Sequence, residues 1–286
     1  MSGLGASWTL AIELSNPSAG EAGERGVRGR VVKTGATVAL GRFAGGALEA
    51  LAEEHLRTDE GRRLGDDLLP AIERVAQRAG ISAAEIDAIG VSAGPGGFTG
   101  VRIAVTAGAV LGERLGAKVH AVPSWLVAAW AMEDGPEPAA ICVASKREEC
   151  FVAVRAGDAA WWSGVRGGLG LEAELAAALE RAAGETGRGL EGLARRVVPI
   201  GVRTSEVIRA LRAGVVVGDG YLPASFREEA ARAGARVEEP VFGAAGVLEL
   251  TRVIPGEDAG GVRPIYGRRP EAVRLWEARR GESGSR

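Results

Sequence analysis

The stretch that most constrains this chain runs from Ile86 to Val122. Two apolar runs, IDAIGVS (86–92) and AKVHAV (117–122), enclose the loop GPGGFTG (Gly94–Gly100) and the segment TGVRIAVTAGAVLGERLG. In that segment Gly100, Ala104, Gly108 and Gly112 recur every four residues, so they share one face of a helix running from about Thr99 to Leu115. Small side chains on one face let another backbone come close. Val101, Ile103, Val105, Val110 and Leu111 cover much of the remaining surface, and only Arg102 and Thr106 interrupt it before Glu113. A helix apolar nearly all round is covered on more than one side. One cover is the sheet of its own domain. The other is either the helix predicted over 64–79 or a second chain.

The loop itself has two readings. Free backbone N–H groups at a helix start attract phosphate. However, no Lys-Ser/Thr pair follows it as in a P-loop, and no G-x-G-x-x-G fingerprint is present. By itself the loop is accounted for by a tight strand-to-helix connection, where glycine permits positive φ and close packing.

The rest of the chain follows an α/β pattern. WTLAIEL (8–14), RVVKT and TVALGR read as three strands, with 15–29 as a loop. GRRLGDDLLPAIERVAQRAG places Leu64, Leu68, Ile72, Val75 and Ala79 at helical spacing. Pro70 either kinks that helix or marks its first turn, with Leu69 just outside. After Pro123 the pattern partly repeats. A short helix carries Trp125 and Trp130; AAICVAS, CFVAVRA and AWWSGV read as strands; alternating helices and strands follow, with the strand VVVGDG at 215–220 and a helix over 224–233. Both halves thus read as three strands followed by helix–strand alternation, an α/β duplication. The division falls at 1–122 and 123–286.

Composition narrows the functional classes. The net charge of −2 offers no basic excess to hold a nucleic-acid backbone unaided. No segment approaches the roughly 20 apolar residues of a membrane span, and the start lacks the basic region of a signal peptide. The expected location is the cytoplasm. There Cys142 and Cys150 are expected as reduced, buried thiols, near each other if their strands form a hairpin around 146–148. Two Cys with His55 and His120 make no metal-ligand pattern.

Read with its flanks, the segment DAIGVSAGPGGFTGVRIAVTAGAVLGERLGAKVHAVPSWLVAA closely resembles the bacterial TsaB family, also called YeaZ. That family carries G-P-G-S-F-T-G-x-R-[IV], a small-residue helix, and a strand ending in Ser-x-Leu. The resemblance continues in RRLGDDLLPAIERVAQRAGI, VVGDGY and PIYGRRPEAVR, the last similar to the family's C-terminal P-x-Y-x-R element. The chain departs from the pattern in three places. Gly97 replaces the motif serine, Glu13 replaces the aspartate that ends the first strand, and Leu64 and Gly65 stand near the place of a histidine.

The resemblance implies the actin/Hsp70-like fold, two RNase H-like halves in tandem. It implies a non-catalytic partner of TsaD, which acts with TsaE to transfer a threonylcarbamoyl group to the adenosine beside the anticodon of tRNAs reading ANN codons. It also implies contact with tRNA only through partners, and a homodimer when TsaD is absent. The implied partner surface comprises Leu64, Leu68, Ile72, Val101, Ala104, Val105, Gly108 and Gly112. An eroded nucleotide site would comprise Glu13, Gly94, Gly96, Gly97, Thr99 and Asp219. No cofactor of the chain's own is expected, although ATP with magnesium could sit at a subunit junction. The alternative is an active ATP-dependent phosphotransferase or acyltransferase of the same fold, using Glu13 and Asp219 as its carboxylate pair. A glycoprotease-like activity fits less well, because there is no zinc motif and no Ser-His-Asp set around Ser92 or Ser124.

Overall fold

The computed structural model describes residues 7–16, 23–45, 47–57, 63–132, 138–145 and 148–267. Along the chain come β1 (Ser7–Glu13), β2 (Gly23–Val27), β3 (Arg30–Thr34), β4 (Thr37–Ala44), β5 (Ala47–His55), α1 (Leu68–Ala79), β6 (Ile86–Gly94), α2 (Phe98–Leu115), β7 (Lys118–Pro123) and α3 (Ser124–Ala131). They are followed by β8 (Ala139–Ala144), β9 (Cys150–Arg155), α4 (Ala159–Val165), α5 (Ala173–Ala183), α6 (Gly189–Arg196) and β10 (Val197–Arg203). The chain continues through α7 (Glu206–Leu211), β11 (Val215–Val217), α8 (Ala224–Ala233), β12 (Arg236–Glu238), α9 (Ala244–Leu250) and β13 (Gly256–Glu257).

Two mixed sheets share one strand order. The first runs β13-β7-β6-β1-β4-β5 and the second β10-β9-β8-β11-β12. In each, three strands pair antiparallel (β1, β4, β5 and β8, β9, β10), and two parallel strands join the side of the leading one. Helices make the parallel crossovers, α2 between β6 and β7 and α8 between β11 and β12. β13 then returns to pair antiparallel with β7.

Alternation along the strands builds three core layers. Leu10, Ile12 and Leu14 pack with Leu68, Ile72, Val101 and Val105, under α1 and α2. Ala11, on the opposite face, joins a central layer of α3, α9 and one face of the second sheet, including Ile141 and Phe151. Cys142, Cys150 and Val152 face the third layer, with Trp162, Leu179, Ile208 and Phe226.

Several expectations need correction. Part of the predicted 15–29 loop is strand: β2 and β3 form a hairpin whose turn residues Arg28 and Gly29 both have positive φ, 49° and 76°. This hairpin stands outside the six-stranded sheet, so RVVKT is not a strand of that sheet. The third antiparallel strand is Ala47–His55, and α1 packs across it and β4. AWWSGV is helix α4, capped by Asp158, which accepts from Trp161 N at 2.8 Å, with Trp162 and Val165 buried one turn apart. The third strand of the second sheet is instead Val197–Arg203. Pro70 sits inside α1 in its first turn, where a missing N–H costs nothing. The predicted hairpin of β8 and β9 forms, and Cys142 and Cys150 are both buried free thiols. Among the described residues no helix is long and apolar enough to cross a membrane. The tail beyond Arg274, LWEARRGESGSR, expected from sequence to be mobile at its end, lies outside the described residues.

Candidate functional site

Glu13 ends β1 fully buried. Its Oε1 accepts two hydrogen bonds of 2.6 Å, from Ser15 N and from Ser15 Oγ, while Oε2 has no partner among the described residues. Burial pushes its carboxyl from the ordinary 4.5 up to about 6, against the lowering effect of the Ser15 bonds. Next to it, the glycine loop lies flat on the chain that leaves β1. Gly97 N donates to Ser15 O at 2.6 Å. A Cβ on Gly96 would collide with the Ser15 carbonyl, and one on Gly100 with the Leu14 carbonyl. On the loop's other side, Gly94 has φ +96°, and a Cβ there would lie 2.6 Å from Ile265 O. Ser92 Oγ accepts from Leu14 N at 3.1 Å.

These residues are therefore packed against backbone, and the glycines serve close approach. They do not fit a magnesium nucleotide. The one carboxylate is enclosed and turned to Ser15, and the Gly97 N–H is already spent on Ser15 O. Asp219 stands in the turn after β11, where it accepts from Tyr221 N at 3.0 Å. Among the described residues there is no group of three or more His, Cys, Asp or Glu that could hold a metal.

The helices carry the other candidate set. The start of α1 is pinned by Asp67, which accepts from Arg57 N at 2.7 Å and from both terminal nitrogens of Arg74 at 3.1 and 2.6 Å. The Arg74 hydrogen bonds hold the Asp67 carboxyl below its usual range. Ile72, Val101, Ala104, Val105, Gly108 and Gly112 are buried in this chain's own core. A Cβ on Gly108 would collide with Val91, and one on Gly112 would come within 2.5 Å of Val119. The small-residue face of α2 thus meets β6 and β7 of its own sheet. As the outer surface for a partner, these six residues are corrected by their burial; Leu64 is half-buried and Leu68 is buried at the edge of a groove.

That groove, about 610 Å³, runs along the opposite face of α2. Its floor and walls include Leu68, Leu69, Ile103, Ala107 and Leu111, and its rim carries Phe98, Thr99, Arg102, Thr106 and Val110. Phe98 is 61% exposed, Val110 59% and Leu69 56%. Three large apolar side chains thus stand open along one groove. The Arg102 guanidinium lies 5.1 Å from the centroid of the Phe98 ring. The signal was present in sequence as the stripe Phe98, Arg102, Thr106, Val110 at four-residue spacing. Its two polar members mark the side of the helix that faces water.

A family model described as TsaD, tRNA N6-adenosine threonylcarbamoyltransferase, matches residues 59–165, which include both helices and the loop. No curated protein is similar enough in sequence to match. Among solved structures, an uncharacterized protein from Pseudomonas aeruginosa with similarity to peptidase YeaZ aligns over 92% of this chain and 100% of its own, with a TM-score of 0.56 and 19% identity. YeaZ from Pseudomonas aeruginosa aligns over 91% of this chain and 99% of its own, with a TM-score of 0.54 and 18% identity. The fold is that of these two structures.

Proposed function

We propose that this chain acts in tRNA threonylcarbamoyl modification as the non-catalytic partner of a TsaD-type transferase, docking through the outer face of α1 and α2. The likeness to YeaZ structures and the TsaD-family match support the pathway. The single observation that carries the docking role is the open groove with Leu69, Phe98 and Val110 exposed along it. The partner is a TsaD homologue, with a TsaE homologue joining the assembly, and the same surface pairs two copies of this chain when TsaD is absent. The shared strand order supports reading 1–122 and 123–286 as two RNase H-like halves, with α9 and β13 reaching back to the first sheet. Any ATP with magnesium belongs at a junction with another subunit, since this chain's loop is filled by its own backbone.

Val110→Glu and Thr106→Arg test the docking role, because both side chains are exposed and neither change touches the core. Titrated against the TsaD homologue by calorimetry, each is expected to weaken association at least tenfold while the thermal midpoint stays unchanged. Association at full strength in both would remove the groove from the account. The competing reading, an ATP-dependent enzyme, requires turnover that Glu13→Gln abolishes. The enclosure of Glu13 weighs against it.

A further inference from the structure

The segment Val262–Gly267 has no part in the sheets, yet it touches the start of the glycine loop, the start of α2 and the second sheet. Val262 is buried in the layer under α1 and α2. Ile265 packs against both that layer and the central one. Its N–H donates to Ala93 O at 2.6 Å, just before the glycine loop, and its carbonyl occupies the space a Gly94 side chain would need. A Cβ on Gly267 would lie 3.1 Å from the ring of Phe151, a second-sheet residue that itself stacks on Trp125 at 5.1 Å. Between these anchors stands Tyr266, the central residue of the P-x-Y-x-R element. It is 47% exposed, and its ring stacks on Phe98 with centroids 5.8 Å apart and planes at 29°.

Phe98 is the first residue of α2, and its other neighbour is Arg102. An aromatic ring 61% exposed at a helix start has few contacts to hold it in one rotamer. Tyr266 and Arg102 supply them from either side. A ring fixed before binding loses less freedom when a partner arrives, which raises affinity without adding a contact. We propose that Tyr266 is a positioning residue for the docking face: the strap 262–267, anchored in the layer under α1 and α2 at Val262 and against Phe151 at Gly267, holds it at the groove rim, where it fixes Phe98 for the incoming TsaD-type partner. The proposal rests on the docking reading above. Aromatic stacking carries the effect, so the phenol hydroxyl is dispensable.

The test compares Tyr266→Ala, Tyr266→Phe and Val110→Glu in the full chain, with two readouts. Amide hydrogen exchange over 95–102 is followed in the isolated chain, and affinity for the TsaD homologue is measured by calorimetry. For Tyr266→Ala we expect faster exchange over 95–102 and an affinity loss of roughly threefold to tenfold, the size of one aromatic pair. Tyr266→Phe should restore both. Unchanged exchange and affinity in Tyr266→Ala would overturn the proposal, as would a Phe variant that behaves like Ala. Full association in Val110→Glu would overturn the docking reading instead. The exchange readout, which needs no partner, would still decide whether the strap holds the rim.

Discussion

A carboxylate enclosed without a cation makes stability depend on pH. Glu13 has its carboxyl raised to about 6, and Glu53 on β5 is raised to about 7, both chiefly by burial. Below pH 4.5 the folded and unfolded chains both hold the Glu13 proton, and the full stability is present. As pH rises through about 6 the folded chain must ionise a buried group, and about 2 kcal/mol is lost. Glu13→Gln imitates the protonated form. It is expected to raise the urea midpoint at pH 8 and leave it unchanged at pH 4.5, with the slope due to Glu53 persisting. An equal shift at both pH values would contradict the assignment of that slope to Glu13. Burial also pushes the Cys150 thiol up to about 12 and Cys142 well above its ordinary value. Neither thiol is then nucleophilic at neutral pH. Alkylation at pH 8 should modify neither in the native chain and both after unfolding; rapid native labelling would contradict their burial. Burial of the cysteines follows from their apolar strands, and sequence sufficed for it. The enclosure of Glu13 did not show in sequence, because it depends on a loop 80 residues away folding over Ser15.

At the scale of elements, helix α2 shows what periodicity can and cannot give. Its length and its four-residue rhythm of small residues were legible, since both are local. Which cover the small residues meet was not, because a glycine face suits a strand as well as a partner helix. Gly108 settles it by lying against Val91. Gly108→Trp, which an outward-facing Gly108 would tolerate, is therefore expected to unfold the first sheet's helical layer. Even Gly108→Ala should cost about 1–3 kcal/mol through overpacking. Thermal denaturation followed by circular dichroism checks both, and a Trp variant with a native melting curve would contradict the inward face. Elsewhere local signals misled for definable reasons. Ala47–His55 had no assignment from sequence, since its Ala, Leu and Glu favour helix; it is a strand because β4 and α1 offer pairing and cover. Trp161 and Trp162 suit a strand, but the Asp158 cap and a buried Trp162–Val165 spacing make a helix.

For the molecule as a whole, the same strand order occurs twice, and the ends of the chain's second half close back on the first. Two runs of strands, each followed by alternation, were legible, although one strand of each run was misplaced: RVVKT lies outside the sheet and AWWSGV is helix. The closure was not legible, because α9, β13 and the strap are short and carry no pattern that names their neighbours. The strap bears on the proposed docking role because Ile265 backs the start of the glycine loop and Tyr266 stacks on Phe98 at the groove. Among the described residues the outer side of α1 and α2 carries an open apolar groove, and the account's central claim is that a TsaD-type chain covers it. Size-exclusion chromatography with light scattering tests that most directly, on this chain alone and mixed with the TsaD homologue from the same genome. The account predicts a heterodimer in the mixture, formed at the expense of any homodimer and lost with Val110→Glu. A chain that stays monomeric alone and in the mixture, or a heterodimer untouched by Val110→Glu, would contradict it.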